Sequence, residues 1–249
     1  MEVDMPPEST PRAYLGSLFG VVFDLDGTLV SSDHDFLRMR REVVRIAEKH
    51  GVMPGHLTVQ EPIPKIMDAA LSELALSGVP EGERFRFEGE VNDTIDVIEL
   101  EALPKTRARE GAIPLLEALA DKGYRLGVLT RSSERFCRAA LDRTRLRRFF
   151  PSLRTRSSPG PAKPSPDALL HLLKDMGVPM DRAMFVGDHP LDAECATRAR
   201  VRFIGILPDG GGGPELGDQL RAAGAMVVVP DLPALGREIG VAVPTAPAR

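Results

Sequence analysis

Two carboxylates one residue apart, Asp24 and Asp26 in the run Asp24-Leu25-Asp26-Gly27-Thr28-Leu29, stand at the end of an apolar stretch. Negative charge crowded where a strand leaves a sheet is justified by a bound cation or by catalytic duty. Asp-Gly also makes plain turns, and a bare pair of this kind is a turn about half the time on turn chemistry alone. Residues downstream shift that balance. Thr130 closes a second apolar block, Lys163 precedes a helix start at Ser165, and Asp188 and Asp192 follow a block ending at Val186. In a parallel sheet the carboxyl ends of neighbouring strands converge on one crevice, so these residues are expected to surround one small volume. Aspartate oxygens, with His and Cys ligands lacking, are hard donors suited to magnesium. Magnesium and a lysine together would neutralise a bound dianion.

The elements that must position these groups are read from the apolar pattern. Leu18 to Asp24, Arg125 to Thr130, Ala183 to Val186, Arg202 to Ile206 and Ala225 to Val229 are short continuous apolar blocks, as strands buried on both faces should be, with a weaker strand near Ser152 to Arg156. Between them, Ile113 to Lys122, Glu134 to Arg143, Ser165 to Met176, Leu191 to Arg198 and Gly217 to Ala223 carry apolar residues at helical spacing. Gly123, Gly177 and Gly224 sit where those helices should stop. The alternation predicts an α/β fold with a doubly wound parallel sheet. From Asp33 to Leu103 it breaks, leaving three candidate helices near Asp35 to His50, Ile63 to Ser77 and Pro80 to Leu103. The expected organisation is therefore an α/β core over residues 13–32 and 104–240, an inserted all-helical subdomain over 33–103, and flexible tails at 1–12 and 241–249. Because the insert follows the first strand, it is expected to act as a lid above the strand ends. Val30 to Asp33 and Lys105 to Glu110 are its hinge candidates.

With Asp24, Asp26, Gly27 and Thr28 as a first motif, Thr130 as a second, Lys163-Pro164 as a third, and Gly187-Asp188 with Asp192 as a fourth, the chain resembles the haloacid dehalogenase superfamily. Within it, the phosphoglycolate phosphatase-like group with a helical cap is the nearest pattern, and the likeness runs from about Leu18 to about Leu235. That resemblance implies a Rossmann-like core. It also implies Asp24 as nucleophile, Asp26 as general acid and base, and magnesium held by Asp24, the Asp26 main-chain carbonyl and Asp188. Asp192 would be an outer or occasional direct ligand. Gly27, Thr130, Arg131 and Lys163 are the candidates to touch substrate, with Thr130 and Lys163 also counted as catalytic. The sequence departs from the pattern at His189, where relatives often carry Ser, at Ala199-Arg200, where Ala-Gly is usual, and at Arg131, where Asn is common. Arg131 either meets substrate or points to solvent. Ser31-Ser32-Asp33 differs from the Asp-Ser of many relatives.

The implied function is a magnesium-dependent phosphatase that cleaves small phosphate monoesters through an aspartyl-phosphate, with phosphoglycolate as the family-level substrate. A phosphomutase of the same superfamily differs in whether the lid keeps water off the intermediate, and a non-catalytic phosphate-ligand binding protein could share the fold. A dehalogenase is disfavoured, since Asp26 would have no proton to supply to a halide. A receiver domain is disfavoured by the helical insert. Composition is that of a globular protein: 249 residues, 43% hydrophobic and 27% charged. No window nears the roughly eighteen apolar residues of a membrane span. With 36 acidic against 32 basic side chains and a net charge of -4, nucleic acid is not the expected partner. A small phosphorylated metabolite is, for a monomer or homodimer. Cys137 and Cys195 form no metal spacing and fit a reducing cytoplasm. The arginines at 143, 145, 147, 148, 154 and 156 read as a solvated face rather than an RNA patch, and Gly210 to Gly213 as a surface loop rather than a phosphate cradle.

Overall fold

A strand that is apolar on both faces has to be covered on both, and the first one is. In the computed structural model, which describes residues 18–243, every residue of β1 (Gly20–Phe23) is buried. The tails expected at 1–12 and 241–249 fall outside these residues, apart from 241–243. After β1 come β2 (Val30–Ser31) and three helices, α1 (Phe36–Lys49), α2 (Ile63–Leu76) and α3 (Glu81–Ala102). The chain returns through β3 (Arg107–Ala108), α4 (Ala112–Asp121), β4 (Arg125–Leu129), α5 (Glu134–Arg143) and β5 (Ser152–Arg154). It then runs through α6 (Pro166–Met176), β6 (Ala183–Gly187), α7 (Pro190–Arg198), β7 (Arg202–Ile206), α8 (Leu216–Ala222), β8 (Val227–Val229) and α9 (Leu232–Glu238).

The six long-range strands form one parallel sheet in the order β5-β4-β1-β6-β7-β8. β1 is central, pairing Phe23 with Val128 on one side and Val186 on the other. The sheet order reverses at β1, so its carboxyl end opens at the topological switch point where α/β sheets bind ligands. One face is sealed by Val22, Leu129 and Phe185 against Leu169, Leu172 and Ala196 of α6 and α7. Toward the other face the ring of Phe23 meets Phe150 edge-on at 6.2 Å. Helix ends follow local chemistry. Ser165 accepts a hydrogen bond from the Asp167 amide, Pro166 opens α6, and Gly177 ends it in the left-handed conformation.

The chain divides into two compact units, one ending at Ser32 and resuming at Thr106, the other Asp33–Lys105. The second has a core of its own, in which Met39, Val43 and Ile46 of α1 meet Ile66 and Leu74 of α2 and Phe87, Val91 and Ile95 of α3. Two features differ from the sequence expectation. The hinge segments are paired: Val30 lies opposite Ala108 and Ser31 opposite Arg107 in an antiparallel ribbon, too short to leave a period-two signature. Among the described residues a further helix, α9, which the sequence reading did not assign, is capped by Asp231 accepting from the Ala234 amide at 2.6 Å. Because Phe23 is fully buried at the middle of the sheet, Phe23→Ala should cost about 3–5 kcal/mol of stability, read from urea denaturation midpoints.

Candidate active site

The ladder of β1 runs one residue past its end, the Asp24 amide donating to the Val186 carbonyl at 2.8 Å, and this fixes Asp24 against β6. The chain then turns back, with Leu29 and Val30 amides both donating to the Leu25 carbonyl and Gly27 donating to Val30. Gly27 has φ +80°, and a Cβ there would lie 2.2 Å from Oδ2 of Asp188, so only glycine allows the two segments to meet. In the same contact the Thr28 hydroxyl donates to Oδ1 of Asp188 at 2.9 Å. Thr130 follows β4, its amide donating to the Arg154 carbonyl and its hydroxyl oxygen accepting from the Ser132 amide at 3.1 Å.

Asp192 arrives from the first turn of α7. Its Oδ2 accepts from the His189 amide, while Nδ1 of His189 accepts from the Leu191 amide at 3.1 Å. The departure at His189 is thereby explained, because an imidazole nitrogen supplies the helix cap that a serine hydroxyl would give. Gly187 makes room for this arrangement, since a Cβ there would lie 2.4 Å from Asp192 Oδ2. Lys163 lies buried between the acids, its Nζ 2.5 Å from Asp24 Oδ1 and 2.7 Å from Asp192 Oδ1, with the Phe185 ring 5.5 Å below. Arg131 neither simply faces solvent nor stands apart: its Nη1 donates to the Lys163 carbonyl at 2.7 Å. Asp24, Lys163, Asp188 and Asp192 are thus in one cluster, joined by Thr28, whose hydroxyl the sequence did not single out. Asp26 is partly buried on the turn beyond Asp24.

Arg109 is a residue that sequence reasoning missed. It sits in a charged linker, yet its side chain is 4% exposed and holds the carbonyls of Gly27 and Leu207. Nothing in the sequence distinguishes it from its solvated neighbours. Of the arginines read as a solvated face, Arg143, Arg145 and Arg148 are exposed, and several also bond within the fold: Arg143 donates to the Thr106 carbonyl, Arg147 to Phe150, Arg154 to Pro159, and Arg148 pairs with Glu117.

Residues 20–200 match the haloacid dehalogenase-like hydrolase family. The chain belongs to that family. It is also 30% identical over 191 residues to a phosphoglycolate phosphatase from Pseudomonas fluorescens strain Pf-5, the match covering 75% of this chain and 68% of that one. A crystal structure of a hydrolase from Pseudomonas syringae superposes with a TM-score of 0.60 at 22% identity, covering 89% of this chain and 98% of that one. A family hydrolase from Deinococcus radiodurans, solved with bound phosphate and sodium, gives 0.58 at 22%, covering 92% and 99%. At that identity the two structures speak for the fold. Among the described residues no helix is long and apolar enough to cross a membrane.

In this hydrolase the electrostatics of the cluster follow from counting. Carboxylate oxygens of Asp24, Asp188 and Asp192 lie within 4.8 Å of one another, and Lys163 is the ammonium bonded to two of them. Three carboxylates against one ammonium leave a deficit of two positive charges in a buried place. An all-oxygen donor set with that deficit fits a hard divalent cation. Without a cation, burial pushes the Asp24 carboxyl up to about 6, the attraction of Lys163 only partly offsetting it. Burial, with the neighbouring Asp24 and Asp192 charges, likewise drives Asp188 well above the usual carboxylate range. Burial alone would lower Lys163, but Asp192 and Asp24 outweigh it and hold the ammonium above its ordinary value.

An acid whose pKa is higher in the folded than in the unfolded chain stabilises the fold below the unfolded value and loses that contribution as pH rises through the folded one. For Asp24 that window runs from about pH 4 to about pH 6. A cation that binds the ionised cluster should recover the loss. The gain in Tm on replacing EDTA with magnesium should be small near the bottom of that window and reach several degrees at neutral pH, read by scanning calorimetry at a series of pH values.

Proposed function

We propose that this hydrolase is a phosphatase of small phosphate monoesters that works with a divalent cation, magnesium being the ion its donors suit, and with Asp24 as nucleophile. The observation that carries the reading is the buried Asp24–Lys163–Asp192 arrangement beside Asp188. A carboxylate can approach an anionic phosphoryl group only where positive charge is already in place. Asp24, Asp188 and the Asp26 carbonyl would hold the ion, and its chemistry would be to offset charge on the phosphoryl oxygens and orient them. Both oxygens of Asp192 are engaged, by Lys163 and by the His189 amide, which suits it to holding Lys163 rather than to ligating.

In this mechanism Asp24 attacks phosphorus in line, forming an aspartyl-phosphate as the bond to the leaving oxygen breaks. The Asp26 carboxyl gives its proton to that oxygen. Asp26, now ionised, takes a proton from the water that attacks the same phosphorus, releasing phosphate and restoring Asp24. Lys163 balances charge through both steps, and the Thr130 hydroxyl donates to a phosphoryl oxygen. The helical unit is the cap of this scheme, and selection among esters falls to it. Phosphoglycolate heads the substrate panel because the Pseudomonas fluorescens relative bears that name.

Phosphate release from phosphoglycolate, sugar phosphates, nucleotides and pyrophosphate, with and without magnesium, tests the proposal. Asp24→Asn should remove turnover by at least about a thousandfold with folding intact, and surviving magnesium-dependent turnover would overturn the assignment of the nucleophile. Asp188→Ala should raise the magnesium concentration for half-maximal rate by about 10- to 100-fold; an unchanged metal requirement would place the ion elsewhere.

A further inference from the structure

Arg109 follows β3 directly, where the chain re-enters the α/β unit, and its guanidinium is buried. A guanidinium has five donors and tolerates burial only when they are satisfied. Here Nη1 donates to the Gly27 carbonyl at 2.5 Å and more weakly to Thr28 at 3.4 Å. Nη2 donates to the Leu207 carbonyl at 2.7 Å, and Nε pairs with Asp209 at 2.9 Å. The Arg109 amide adds a bond to the Leu29 carbonyl at 3.0 Å. The carbonyls of three successive residues, Gly27, Thr28 and Leu29, therefore end on one residue, which also ties them to the chain just beyond β7.

The held segment is the one that carries the chemistry. It begins immediately after Asp26, contains the glycine whose missing Cβ admits Asp188, and includes the Thr28 hydroxyl bonded to Asp188. We infer that Arg109 is a positioning residue for the phosphoryl-transfer site, its fork fixing the Gly27–Thr28 turn so that Asp26 and Asp188 keep their places relative to Asp24. This rests on the phosphatase reading above. A lysine at this position keeps the charge but loses the planar fork that meets several carbonyls at once. Asp209 is half exposed and only neutralises the outer edge of the fork, so Asp209→Asn is expected to act weakly.

The test compares Arg109→Ala, Arg109→Lys and Asp209→Asn in the full chain. Arg109→Ala should lower kcat by about 10- to 100-fold, the scale of a sub-ångström to one-ångström misplacement, with KM changed by less than about threefold. Millimolar guanidinium should restore part of the lost kcat, Arg109→Lys should fall between Ala and the native residue, and Asp209→Asn should stay within about threefold. Hydrogen exchange without metal gives a readout independent of turnover: the amides of Gly27 to Val30 should exchange faster in Arg109→Ala while those of β4 and β6 stay slow. An unchanged kcat in the folded variants would overturn the inference. So would a uniform rise in exchange without guanidinium rescue, or failure of both Arg109 variants to fold, since each makes Arg109 a support of the whole fold. If the native protein turns over no phosphate ester, the phosphatase reading fails, and the exchange experiment alone decides whether Arg109 holds the turn.

Discussion

The buried ammonium of Lys163, set between Asp24 and Asp192, is the interaction on which the rest of the site depends. Three carboxylates within 4.8 Å of one another repel strongly where water is excluded, and a single fixed cation makes the arrangement tolerable without cancelling it. The remaining deficit is useful. A cluster already neutral would have no electrostatic reason to suit a divalent cation, and this one, with its excess of carboxylates, does. The supports of Lys163 come from three places in the chain: Arg131 grips its carbonyl, Phe185 lies beneath its ammonium, and α7 presents Asp192 from a capped first turn.

Close approach of backbone segments is the second constraint, and it is met by absence as much as by contact. Gly27 and Gly187 each stand where a methyl group would collide with a carboxylate oxygen, of Asp188 and Asp192 respectively. The chain can bring acids this near only by giving up side chains opposite them. Such bare backbone needs holding, and Arg109 holds the carbonyls of the first glycine turn while the Thr28 hydroxyl holds Asp188.

The insertion point of the helical unit is ordered. Within the two hinge candidates the outgoing and returning strands pair as a ribbon, and the Ser32 and Thr106 hydroxyls lie 3.1 Å apart beside it. Within the helical unit, the exposed Lys105 ammonium meets Asp33 at 2.6 Å, so the first and last residues of that unit are also paired. The ribbon belongs to the α/β unit, and Arg109 stands one residue beyond it.

The sequence by itself determined most of the elements and singled out Asp24, Lys163, Asp188 and Asp192, which the fold gathers into one cluster. Buried parallel strands are written as unbroken apolar blocks, and helices such as α6 announce both ends with a serine, a proline and a glycine. Because a parallel sheet delivers its strand ends to one edge, Asp24, Thr130 and Asp188 could be assigned to one crevice from their places after apolar blocks. Tertiary structure decided what each of those groups touches. That Asp192 faces Lys163, that His189 caps a helix, and that Arg131 braces the Lys163 backbone depend on distances across the fold, which no local pattern encodes. Arg109 is the clearest case: in sequence it is one charge in a linker, and only the fold buries it among carbonyls 81 and 98 residues away.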